Sequence, residues 1–216
     1  MEIFVEGVSR KNVAPDLVIA NIFFHAKGKT SEEAIQRGVN NVSTFTNLVV
    51  LEVGLPIESL TTKNFSINED RVYNEDARRH EVAGYVFNQF VSIKMDYNNE
   101  LLSKFLTLVS TFENAPEINF QFGVKDEEKY TNELVNVAYN DAKRKAEMLA
   151  RASNKTLGDS LTLELKGNTQ GQLFRSQSNF DGGLLKTMSI NNIDTSSIVP
   201  EDIEIEVVVN SKWNAN

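Results

Sequence analysis

Leu17-Val18-Ile19-Ala20-Asn21-Ile22-Phe23-Phe24-His25-Ala26, ended by Gly28 and followed by Thr30-Ser31-Glu32-Glu33, carries the decision about fold class. Val18, Ala20, Ile22, Phe24 and Ala26 alternate with Ile19, Asn21, Phe23 and His25, the period of a strand with one strongly apolar face. The next four residues spell a capping box: Thr30 can accept from first-turn amides while Glu33 reaches back. Behind it Ala34, Val42, Phe45, Val49 and Val53 recur at helical spacing until Gly54-Leu55-Pro56 stops them. A half-buried strand feeding an amphipathic helix gives a mixed architecture.

Outward from that stretch the same two periods alternate. Residues 2–10 read as a strand, and Pro15-Asp16 opens the quoted one. Leu60 to Asn68 and Val82 to Asp96 read as two long strands, with Tyr85, Phe87, Val91, Ile93 and Met95 on one face of the second. Between them Arg71 to Glu81 is too polar to bury, so residues 69–81 are expected to form the solvated tip of a hairpin. Asn98 or Asn99 caps a short helix over 98–113, and Ile118 to Val124 alternates as a strand. Asp126 caps the longest helix, about Glu127 to Ser153. Its stripe of Ala138, Ala142 and Ala146 makes a smooth ridge that can lie close to a neighbour.

Leu157-Gly158 leads into a strand at 160–166, and Pro200 into a last strand at 202–213. The stretch 167–197, rich in Gly, Ser, Asn and Gln, is expected to be a long loop held by Leu184, Leu185, Met188 and Ile190. The expected fold is therefore α+β, order ββαββαβαββ, with largely antiparallel sheets and helices packed on one face. It reads as a single domain over 1–216, built from two βαββ halves, 17–96 and 118–213, joined by the short helix.

Composition limits the chemistry. The 216 residues carry 22 Lys plus Arg against 30 Asp plus Glu, a formal charge of −8. That surface repels nucleic-acid backbones and anionic lipid. No run reaches the roughly 20 apolar residues of a membrane helix. The N-terminal residues show neither a basic nor an apolar leader-like segment. The expectation is a cytoplasmic protein, with export of a processed precursor as the alternative. There is no Cys, which excludes disulfides and thiolate chemistry.

Candidate reactive groups are few. His25 and His80 stand without metal-ligand spacing. Glu201, Asp202, Glu204 and Glu206 cluster on the last strand, where alternate acids suit a wet face better than a catalytic pair. Asp126-Glu127-Glu128 suits a helix N-terminus. Arg78-Arg79-His80 with Arg71 and Tyr73 is a basic and aromatic patch diluted by Glu69, Asp70, Glu75, Asp76 and Glu81. No phosphate-loop, dinucleotide or nucleophile-elbow string occurs. No catalytic, cofactor-binding or metal-ligating residue is assigned, and no cofactor is expected. Trp213, in a polar C-terminal stretch, is a candidate for cover by a neighbouring subunit.

Four stretches also carry a family resemblance. They are Val5-Glu6-Gly7 with Pro15-Asp16; Leu60-Thr61-Thr62-Lys63-Asn64-Phe65-Ser66-Ile67 with Gly84-Tyr85; Ala142 to Ala150 running on to Leu157-Gly158; and Val199-Pro200-Glu201-Asp202-Ile203. In that order they resemble the opening strands, central hairpin, signature helix with its exit turn, and closing strand of the bacterial SIMPL domain family. Ser9 stands where that family usually has a second Gly, and Pro200-Glu201 where it often has Pro-Gly; both are turn details. Many relatives carry an export signal, which this chain does not show. The family has no established catalytic residues to transfer. Some relatives look like subunits of ring-shaped or channel-like assemblies, which implies self-association.

The expected function is that of a non-enzymatic, self-associating homo-oligomer with a structural or stress- and envelope-related role. The first alternative is a binding module for a protein or small ligand, using the tip at 69–81 and the loop at 167–197. The second is an enzyme that uses carboxylates such as Glu204 and Glu206.

Overall fold

A computed structural model of the chain describes residues 1–75, 78–113, 116–166, 175–180, 195 and 198–216. The strands are β1 (Glu2–Val13), β2 (Leu17–Gly28), β3 (Leu60–Asn74), β4 (Arg79–Asp96), β5 (Glu117–Gly123), β6 (Leu157–Lys166), β7 (Arg175–Phe180) and β8 (Ile203–Ala215). The helices are α1 (Ser31–Leu48), α2 (Asn99–Thr111) and α3 (Glu127–Ala152). The fold is α+β, in two sheets ordered β1-β8-β6 and β3-β4-β2-β5-β7. The elements form two compact units: Met1–Pro15, Gly123–Arg175 and Pro200–Asn216; and Asp16–Phe122 with Ser176–Val199. Neither unit is a contiguous half of the chain.

Two expectations change. The stretch 167–197 is not wholly loop, because β7 lies within it and joins the five-stranded sheet beside β5. Its weakly apolar sequence gave no period to read. The proposed anchors Leu184, Leu185, Met188 and Ile190 fall outside the described residues. The solvated tip at 69–81 is mostly ladder: β3 and β4 pair as far as Asn74 opposite Arg79. Charge keeps a segment out of a core but does not stop its backbone from pairing. Val72, Tyr73, His80 and Val82 all suit an extended chain.

In the larger unit β2 is central, antiparallel to β4, which is antiparallel to β3. The apolar face of β2 is buried as the alternation requires: Val18, Ala20, Ile22 and Phe24 sit in one cluster with Phe45 of α1 and Phe105 and Leu106 of α2. Phe45 is its hub. Its ring meets Phe24, Phe105 and Phe112 edge-on at 5.3, 6.2 and 5.2 Å, the favourable aromatic geometry. The helix starts are those the sequence marks. Thr30 accepts from the Glu33 amide at 3.2 Å, and Glu33 accepts from the Lys29 amide at 2.7 Å. Asn98 accepts from Glu100 and Leu101.

In the smaller unit β1 pairs with β8 rather than with its chain neighbour β2, and β6 lines the other side of β8. Pro15 has no amide to donate, so the chain leaves one sheet there and enters the other. Asp126 caps α3 through the Lys129 amide at 3.0 Å. The alanine ridge does what its smoothness permits: Ala138, Ala142, Ala146 and Ala150 are buried against β1 and β8. Gly7 completes the contact. A Cβ there would lie 2.0 Å from the Ala138 carbonyl oxygen and 2.6 Å from the Ala142 nitrogen. Beside it the buried Ser9 hydroxyl donates to the Leu134 carbonyl at 2.8 Å.

Gly7→Ala is expected to cost about 3 kcal/mol or more, because the added methyl meets backbone that cannot rotate away. Ser9→Ala should cost about 1 kcal/mol, one hydrogen bond. Urea unfolding of both variants checks the ranking, which reverses only if α3 can shift off β1 at little cost.

Candidate interaction surface

The reactive residues singled out above are dispersed. His25 is exposed on β2 and stacks on Phe23 at 6.2 Å. It borders a shallow depression with Lys27, Arg37 and Asn40, whose two cations are already engaged. Lys27 pairs with Asp70 at 2.7 Å, and Arg37 pairs with Glu33 at 2.5 Å. His80 is exposed on β4, edge-on to Tyr73 at 5.3 Å. Glu204 and Glu206 lie on the solvent face of β8 opposite Asn12 and Arg10, and Glu206 is ion-paired to Arg10. The two side chains, separated by a residue along β8, lie on the exposed face rather than gathered in a cleft. Among the described residues no group of three or more His, Cys, Asp or Glu is placed to hold a metal ion.

Trp213 corrects its expectation. It is only 4% exposed and packs inside its own unit with Ile3, Ala146, Ala150 and Ala215, its indole donating to Ser211 Oγ at 2.8 Å. Asn210, Lys212 and Asn214 misled because they alternate with it along β8 and take the other face, while the buried Ser211 shares its face.

The basic and aromatic patch is distributed along the β3–β4 ribbon, and Arg71 and Arg79 are each partly neutralised by a neighbour. Arg71 holds Glu69 at 2.7 Å, and Arg79 holds Glu81 at 2.9 Å. Hydrogen bonds from the Asn74 amide and from Arg79 keep the Glu81 carboxyl below its ordinary range.

The most unusual surface is β3 itself. It forms one end of the five-stranded sheet and runs for 15 residues with none buried. Phe65 is 67% exposed and Ile67 38%, although both point to the face that α1 covers further in. The register explains why. Ile67 stands opposite Phe87, and α1 rests on Phe87 through Gly38, where a Cβ would lie 2.0 Å from the ring. The helix therefore covers β4 and leaves Phe65 and Ile67 exposed. Arg37, on one flank of α1, reaches the Lys27 carbonyl on β2 at 3.2 Å. On a 3.6-residue turn, Ile35 and Val39 then look the other way, toward β3. These two and Phe65 with Ile67 are exposed apolar side chains near a sheet end that no further strand among the described residues pairs. Sequence periodicity flagged β3 as a strand but could not say that its apolar side would remain bare.

The edge of β1 is managed differently. Val8 donates its outward amide to Asp141 Oδ2 at 3.1 Å, and the Glu6 carbonyl accepts from Lys145 Nζ at 2.9 Å. The α3 side chains thus occupy the groups that an added strand would need. Asp141 is held well below its ordinary 3.8, to about 2. The largest cause is its hydrogen bond from Lys145; Arg144 and the Val8 amide add to it, and partial burial opposes it.

The outer face of the β1-β8-β6 sheet has a shallow depression of about 440 Å³ beside Phe4 and Thr162. Lys212 lies 5.1 Å over the Phe4 ring, and its ammonium is bound to Glu2 at 2.8 Å. No helix among the described residues is long and apolar enough to cross a membrane.

Over residues 3–213 the chain matches SIMPL, described as "Protein of unknown function (DUF541)", and it belongs to that family. No curated protein shows significant similarity to it.

Asp141 makes the stability of the smaller unit pH-dependent. A depressed carboxyl stabilises the fold above its unfolded pKa and loses that contribution as pH falls through the folded value. The advantage of the parent chain over Asp141→Asn should be constant above about pH 5 and shrink between about pH 4 and pH 2. Asp141→Ala, which also strips the Val8 amide of its acceptor, should cost about 1–3 kcal/mol at neutral pH, and more than the Asn variant. Urea midpoints measured across pH test this; a gap that does not change on acidification contradicts it.

Proposed function

We propose that the chain is a non-enzymatic subunit that assembles with copies of itself through the open edge formed by β3. The observation that carries this reading is a 15-residue end strand exposed on both faces, with Phe65 and Ile67 bare beside it. An uncovered edge presents unpaired amides and carbonyls to any extended chain. Burying one Phe side chain yields about 1.5–3 kcal/mol, so four apolar side chains plus a backbone ladder suffice for association. The contrast with β1, whose edge atoms are occupied by Asp141 and Lys145, supports β3 as a docking edge. The dispersal of His25, His80, Glu204 and Glu206 supports a role in assembly over one in bond chemistry. The net charge of −8 disfavours nucleic acid as a partner.

A binding module remains the second reading, with an extended segment of a different protein as the occupant of the same edge. Phe65 and Ile67 would serve it equally well, and solution mass separates the two.

Light scattering on the purified chain should give a multiple of 24.3 kDa. Phe65→Glu should weaken association by about tenfold or more while moving Tm by no more than about 2 °C, since Phe65 supports little of its own core. A parent chain that stays at its monomer mass at high concentration overturns the proposal.

A further inference from the structure

We propose that two copies join by antiparallel pairing of β3 with β3 about a two-fold axis at Ser66. This rests on the self-association reading and adds the partner strand and its register. A two-fold axis normal to a sheet keeps facing residues on the same face, so in the regular stretch only registers that set odd positions against odd and even against even are available. With the axis at Ser66, Lys63 faces Glu69 of the second copy, Phe65 faces Ile67 and Asn64 faces Asn68, each pair occurring twice. Opposite charges meet, apolar side chains meet, and amide meets amide.

Neighbouring registers lose this match. An axis at Phe65 sets Lys63 against Ile67. One at Ile67 sets Lys63 against Arg71 and Phe65 against Glu69. One at Asn68 sets Phe65 against Arg71 and Ile67 against Glu69. Like or unmatched charges directly opposite are destabilising, so these alternatives are disfavoured.

The backbone suits the Ser66 axis. The ladder between β3 and β4 is regular from Asn64 to Asp70, with its irregularities at Thr62/Asn64 and Asp70/Arg71. The section around the axis is therefore plain strand. Lys63 lies at the first irregularity, and its long stem tolerates the local change in direction. Glu69, already held by Arg71 at 2.7 Å, would lie between that guanidinium and the incoming Lys63. Each copy brings its own exposed Phe65 and Ile67 to the same face across the axis.

The chain has no Cys, so a single introduced thiol reports on one position only. Directly opposed residues have Cβ atoms about 4.5–5.5 Å apart, within reach of a disulfide after small adjustment. Under mild oxidation of the full chain, Ser66→Cys should give a covalent dimer. Asn68→Cys, offset by four residues across the axis, should cross-link at least about tenfold more slowly, since its thiols are then roughly 13 Å apart. Lys63→Glu and Glu69→Lys should each weaken association by about tenfold, and the double exchange should restore it to within about threefold. If the parent chain associates but the thiol at 68 links as fast as that at 66, or the double exchange fails to restore, the register is wrong and self-association stands. A parent chain that is monomeric throughout overturns both.

Discussion

A strand at the end of a sheet carries a row of amides and carbonyls that need partners, and this constraint organises the molecule. At β1 the need is met from within: Asp141 takes the Val8 amide, and Lys145 donates to the Glu6 carbonyl. At β3, among the described residues, the ladder to β4 is the one strand pairing, and none of its 15 residues is buried. An unmanaged edge of that length would promote random aggregation. Lys63, Glu69, Asp70 and Arg71 stand along it as charges that penalise most ways of adding a strand, and so can favour one.

The two compact units use different means to cover their sheets. The larger is filled by rings, with Phe45 at the meeting point of Phe24, Phe105 and Phe112. Bulky side chains hold α1 and α2 off the strands and leave room for an aromatic interior. The smaller is filled by proximity. Gly7 and four alanines let α3 lie nearly on the backbone of β1 and β8. That closeness is what brings Asp141 and Lys145 within reach of the β1 edge. The helix that covers the face therefore also closes the side, whereas α1 rides on Phe87 and leaves Phe65 and Ile67 of β3 exposed.

The groups able to do chemistry are kept apart. His25 and His80 are exposed on different strands, and Glu206 is tied to Arg10 on a flat face. The strongest electrostatic perturbation, at Asp141, is accounted for by its structural partners.

Much of this was legible in the linear order of residues. Alternation along Leu17–Ala26, the box at Thr30–Glu33, the caps at Asn98 and Asp126 and the alanine ridge of α3 depend on neighbours within a few positions, and each element formed where those signals stood. Family membership was legible too, since the motifs that carry it are local. What sequence could not supply was which strand pairs with which, and what covers each face. Polar residues at 71–81 showed exposure but concealed a continuing ladder; polar neighbours of Trp213 concealed its burial; weak periodicity concealed β7. Local periodicity states which side of an element is apolar, because that is a property of one backbone. Whether that side is buried, and whether an edge stays open, depends on how far a distant helix reaches, and only tertiary packing decides it.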